Sequence, residues 1–134
     1  MTAAAGYSGT PLAQKLGLKD GMTVWFHAMP ATVREEIGPV AVIAKASHAD
    51  VVAAHVFTAD RAELGRLLAD LRHSIARDGF VWISWPKKAS KVPTDITEDT
   101  IRELCLPLGW VDVKVCAVDA VWSGLKLMIR KDLR

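Results

Sequence analysis

The chain has 134 residues, 51% of them hydrophobic and 24% charged, with 17 basic against 15 acidic side chains. That length and apolar share suit one domain, residues 1–134, with a sizeable core, and they exclude a disordered chain. The formal charge of +2 excludes a polybasic nucleic-acid arm as the dominant feature, and no apolar run approaches the roughly 18–20 residues that span a bilayer.

Met1-Thr2-Ala3-Ala4-Ala5-Gly6 lacks the basic start and apolar core of a signal peptide, and residues 1–9 read as a partly ordered arm. Thr10 can cap a short helix with Pro11 at its first position, Leu12 and Leu16 on one face and Gly17 closing it. Residues 22–27 form a β-rich run. A short helix over 30–37 is closed near Gly38, and strands follow over 40–44 and 50–57. Neither strand alternates cleanly, as expected of strands covered on both faces. The connection between them, around residues 45–50, is too short for a standard helical crossover.

The clearest helix is expected over 61–78. Asp60 and Glu63 form a capping box, Leu64, Leu67, Leu68, Leu71 and Ile75 make one apolar stripe, and Gly79 ends it. A strand over 80–85 stops at Pro86. The polar loop 87–94 leads to a helix from about Thr97, where Glu98 and Asp99 favour the positive end and Ile96 can staple onto Ile101. Two longer strands, 110–118 and 121–130, close the chain as an antiparallel hairpin. Alternating strands and helices predict a three-layer Rossmann-like α/β sandwich, with a mostly parallel sheet that ends in that hairpin.

This order resembles the Rossmann-type methyltransferase fold. Leu16-Gly17-Leu18-Lys19-Asp20-Gly21 resembles its lead-in to the first strand, and Ala76-Arg77-Asp78-Gly79-Phe80-Val81-Trp82-Ile83 its late helix–glycine–strand passage. Those enzymes follow the first strand with a glycine-rich turn at the cofactor. Here the place holds His27-Ala28-Met29-Pro30-Ala31, with no glycine until Gly38, so the resemblance implies the fold without the methyl transfer. Three longer stretches, Tyr7 to Gly17, Trp82 to Lys88 and Val111 to Lys126, resemble an uncharacterised bacterial family, the domain of unknown function numbered three thousand and fifty-two. That resemblance implies a small cytosolic bacterial protein and supplies no activity.

In open α/β sheets ligands bind outside the carboxyl ends of the parallel strands. That rule selects His27 to Pro30, Thr58 to Asp60, Trp85 to Lys88 and the turn from Asp119 to Ser123. Lys87, Lys88 and Lys91 can hold an anion, with Trp85 and Trp122 as pocket walls and Asp119 nearby. The competing reading is a solvated rim, and Asp95, Glu98 and Asp99 lie close enough to neutralise it. His27 is the candidate general acid–base, against a strand-end histidine bonded to backbone. His55 reads as a satisfied core residue, and His48 and His73 as exposed. Asp119, Ser123 and His27 have no nucleophile elbow to support a catalytic set. No histidine pair has metal-ligand spacing, so neither a metal nor a cofactor is expected.

Cys105 and Cys116 form neither a disulfide framework nor a zinc site and suit the reducing cytoplasm. The expectation is a non-catalytic binding or regulatory module for an anionic small molecule or a protein partner. No nucleic acid or membrane is expected as a partner, and the sequence does not indicate a homodimer. The alternative is an enzyme, a divergent S-adenosylmethionine-dependent methyltransferase relative.

Overall fold

Six strands make one sheet in the order β2-β1-β3-β4-β6-β5: β1 (Thr23–His27), β2 (Ile43–Ala44), β3 (Ala53–Phe57), β4 (Phe80–Pro86), β5 (Trp110–Ala117) and β6 (Trp122–Ile129). The computed structural model describes residues 10–134, so the arm expected at residues 1–9 lies outside the described residues. β1 to β4 run parallel, and β6 pairs antiparallel with both β4 and β5. Helices α3 (Arg61–Ser74) and α4 (Glu98–Cys105) cover one face through Leu64, Leu68, Leu71, Ile101 and Cys105. Helices α1 (Leu12–Lys15) and α2 (Ala31–Ile37) cover the other through Leu12, Val33 and Ile37. All five residues of β3 are buried, which is why its sequence does not alternate. The expected sandwich with its terminal hairpin is therefore the observed architecture.

Several local expectations give way to tertiary contacts. Pro11 occupies the cap position of α1, without a side-chain cap from Thr10. The second strand keeps only two of its five expected residues, and they pair with Thr23 and Val24 at the beginning of β1. This placement explains the short joint that follows. β2 ends near the bottom of the sheet, so residues 45–52 need only pass beneath β1, where the Val52 N–H donates to Thr23 O.

Helix α3 ends at Ser74, not at residue 78. The Asp50 N–H donates to Ser74 O and the Ala76 N–H to Val51 O, which draws the chain off the helix toward the start of β3. Gly79 then serves close approach: a Cβ there would stand 2.6 Å from Val52 O.

At the other end of α3 the capping box is half formed. The Asp60 carboxylate accepts the Glu63 N–H at 3.0 Å, but the Asp60 N–H donates to the Thr58 hydroxyl and the Glu63 side chain points elsewhere. Asp60→Ala should lower stability by about 1 kcal/mol in urea unfolding. The full reciprocal box forms on α4, between Thr97 and Thr100, with Ile96 and Ile101 both buried beside it.

Candidate functional site at the carboxyl edge of the sheet

The sheet order reverses at β1, which has β2 on one side and β3 on the other, so the crevice lies between the ends of β1 and β3. Strand register carries His27, Thr58, Trp85 and, through the pairing of Pro86 with Trp122, the hairpin turn to the same edge. They share an edge without sharing a pocket.

At the crevice stands a cluster that the sequence reading missed in part. Glu63 reaches back from the first turn of α3. One of its carboxylate oxygens accepts the Thr58 hydroxyl at 2.5 Å, and the other lies 3.7 Å from His27 Nε2. Their side chains are 28% exposed for His27 and 35% for Glu63, enough to reach a ligand. His27 thus has a carboxylate partner, with no backbone bond required to account for its place. The signal for it was present, since Glu63 sits three residues after Asp60, but the capping pattern accounted for that residue in another way. Next in the chain, Ala28 adopts φ 54°, a left-handed conformation that favours glycine.

Beyond β4 a groove of about 510 Å³ opens, lined by Trp85, Pro86, Lys88, Lys91, Val92, Pro93, Ile96 and Glu98, among others. Trp85 is 8% exposed and gives the groove an apolar floor, while Lys88 and Lys91 are exposed at its rim. The three acids that threatened to neutralise these lysines are engaged elsewhere. Asp95 accepts the Arg61 N–H at 2.7 Å, at the start of α3. Glu98 and Asp99 both pair with Arg102, which also bonds Asp112 at 3.0 Å. Among the described residues, neither Lys88 nor Lys91 forms an ion pair.

The remaining candidates divide. Lys87 leaves the groove and donates to Asp119 O at 2.6 Å. The Asp119 carboxylate accepts the Val121 and Trp122 N–H groups, both at 2.8 Å, and so acts as a turn residue. Trp122 packs edge-on against Phe57 on the α1 and α2 side and does not wall the groove. Strands β3 and β4 separate His27 from the hairpin. His48, expected to be exposed, is half-buried: its Nδ1 meets Ser74 Oγ at 2.5 Å and its ring meets Trp25 edge-on. A larger cavity of about 580 Å³, lined by Asp50, Arg72, Ser74 and Arg77 among others, opens at the opposite edge of the sheet. Among the described residues no group of three or more His, Cys, Asp or Glu could hold a metal ion, and no helix is long and apolar enough to cross a membrane.

No protein-family model matches the chain, and no curated protein matches it. Solved structures do. A protein from Sulfolobus solfataricus assigned as a type 11 methyltransferase aligns with TM-score 0.66 at 14% identity, over 90% of each chain. Precorrin-6y C5,15-methyltransferase from Geobacter metallireducens aligns with TM-score 0.59 at 11% identity, over 96% of this chain and 93% of that one. Aeropyrum pernix fibrillarin, in complex with natively bound S-adenosyl-L-methionine, aligns with TM-score 0.59 at 11% identity, over 92% and 70%. The turn after β1 does not fit that cofactor as a glycine turn would. Ala28 carries a side chain where the backbone needs glycine's freedom, and Pro30, at the cap of α2, offers no N–H. The likeness is one of architecture: the chain has the Rossmann-like α/β fold of the methyltransferases.

Proposed function

We propose that this chain is a non-catalytic binding module built on a methyltransferase-type fold, which takes an anionic small molecule in the groove between Trp85, Lys88 and Lys91. The observation that carries the reading is the disposition of charge. Glu98 and Asp99 pair with Arg102 and Asp95 accepts the backbone N–H of Arg61, while Lys88 and Lys91 stand exposed over an apolar floor. A phosphate or carboxylate would meet the ammonium groups while the ligand's apolar part lies against Trp85 and Pro93. Both cysteines are free thiols, which suits a reducing cytoplasm, and the resemblance to the uncharacterised bacterial family agrees with that placement.

The comparisons favour a second reading, that of a divergent methyltransferase, because the similar structures are methyltransferases and one holds S-adenosyl-L-methionine. The side-chain-bearing turn after β1 weighs on the other side. Thermal shift with inorganic phosphate, adenine nucleotides and S-adenosylmethionine separates the two. Stabilisation by a phosphate-bearing compound, with affinity at least about tenfold weaker in Lys88→Ala/Lys91→Ala, supports the binding module. A double variant that responds like the native protein, or no response to any anion, overturns it. A clear rise with S-adenosylmethionine that survives in the double variant establishes the second reading instead.

A further inference from the structure

At the amino edge of the sheet, the cavity of about 580 Å³ gathers both signs of charge without pairing them. Asp50, Arg72 and Arg77 all line it, yet among the described residues neither arginine forms an ion pair with Asp50 or with any other carboxylate. Local bonds fix where two of the three stand. Asp50 adopts φ 60°, a left-handed conformation that aspartate tolerates, and its N–H donates to Ser74 O at 2.7 Å. Arg72 Nε donates to Leu108 O at 3.0 Å beside Gly109, where a Cβ would stand 3.0 Å from that nitrogen. The guanidinium is thereby tied to the chain before β5, and its Nη groups have no bonded partner among the described residues. The Arg77 side chain, exposed in the turn before Gly79, has none either.

The end of α3 adds to the negative side. An unbroken helix would bond Arg72 O and His73 O to the N–H groups of Ala76 and Arg77, but the Ala76 N–H is drawn away to Val51 O. Among the described residues both carbonyls are left without a donor, at the end of the helix that attracts positive charge. Leu133, 39% exposed, forms an apolar wall with the buried Ile75 and Ile129.

We propose that this cavity binds an α-amino acid with an apolar side chain. The carboxylate lies between Arg72 and Arg77, the ammonium group donates to Asp50 and the unbonded carbonyls of α3, and the side chain rests on Leu133. The combination of charges decides the class. A simple anion would have to face Asp50 and the negative end of the helix, and a simple cation would have to face two arginines. A zwitterion satisfies both sides at once. The site is independent of the groove at Trp85, which opens at the opposite edge of the sheet and shares no residue with it.

Isothermal titration calorimetry of the full chain compares L-leucine with isocaproate, which lacks its ammonium group, and isoamylamine, which lacks its carboxylate. L-Leucine should bind with a dissociation constant of about 1 mM or tighter, and each truncated compound at least about tenfold more weakly. Asp50→Asn and Arg77→Gln should each lower the affinity for L-leucine at least about tenfold. Both side chains are exposed, and asparagine suits the left-handed conformation as aspartate does, so both variants should keep the native urea midpoint. Lys88→Ala/Lys91→Ala, altered only in the groove, should bind L-leucine as the native protein does. No binding of L-leucine at about 10 mM would overturn the proposal. So would isocaproate that binds as tightly as L-leucine, which would leave a plain anion site, or an affinity that survives both Asp50→Asn and Arg77→Gln.

Discussion

Trp82→Ala should lower the unfolding free energy by about 3–5 kcal/mol, the range for deleting a fully buried aromatic side chain. Trp82 is 1% exposed and belongs to the core cluster with Leu12, Leu16, Val33 and Phe57, so its loss opens a cavity between the sheet and both helices of that face. The neighbours cannot easily close it. Gly124 faces the indole so closely that a Cβ there would stand 3.2 Å from it, which shows a backbone fitted to this side chain. The ring also holds α1 in place, since its Nε1 donates to Leu16 O at 2.9 Å. A four-residue helix has no independent stability. Amide exchange in α1 should therefore rise further than the global loss accounts for. Trp82→Phe keeps part of the apolar contact but loses the donor and one fused ring, for about 1–3 kcal/mol. Urea unfolding of both variants checks the pair. A loss below about 1 kcal/mol for the alanine variant would mean that the ring is not what joins α1 to the sheet.

Legibility in this sequence followed the range of the interactions. The stripe Leu64, Leu68 and Leu71, the turn at Gly38 and the long terminal strands are written within a few residues of one another, and so the element order and sandwich architecture could be read. What could not be read depends on partners far along the chain. The bonds from Asp50 and Ala76 that end α3 early join it to β3. The two-residue β2 is set by its position against the start of β1. In the site, the sequence placed Trp85, Lys88 and Lys91 at one edge, and the structure adds the apolar wall of Val92, Pro93 and Ile96 that makes a groove of them. Glu63 was read as a capping side chain, because nothing local says that Thr58 would take its role and free it to face His27.

The small net charge conceals a division of labour between the two basic residue types. In the ion pairs among the described residues every fixed cation is an arginine: Arg61, Arg102 or Arg130. Arginine's planar fork suits fixed pairing with several carboxylates at once, as Arg102 shows with Glu98, Asp99 and Asp112. Glu98, Asp99 and Asp112 are taken up in this way, while Lys88 and Lys91 at the groove are exposed and form no ion pair among the described residues. Local basic surfaces can thus exist on a chain of charge +2.

Acid should unfold this protein through His55 more than through any of its other histidines. His55 lies at the centre of β3, 2% exposed, with its Nε2 2.6 Å from Ser84 Oγ and its ring stacked on Phe57 at 4.3 Å. Burial pushes its pKa down from 6.5 to about 3, because the imidazolium would lose its water there. The folded value lies below the unfolded one, so the unfolded chain binds the proton first. The stabilisation is complete above about pH 6.5 and is lost as pH falls toward 3, at up to about 1.4 kcal/mol per pH unit. Against a usual domain stability of about 5–15 kcal/mol that loss is decisive. Carboxylates contribute their own acid sensitivity, so a comparison isolates the histidine. In His55→Leu/Ser84→Ala both polar partners are removed together, which avoids an orphaned buried hydroxyl. Urea unfolding from pH 7 to pH 4 should show a distinctly shallower decline in this double variant than in the native protein. Imidazole NMR should find His55 neutral in the folded chain at pH 5, while an ordinary titration near pH 6.5 would show that water reaches the ring and that the neutral His55–Ser84 pair is not what the core holds.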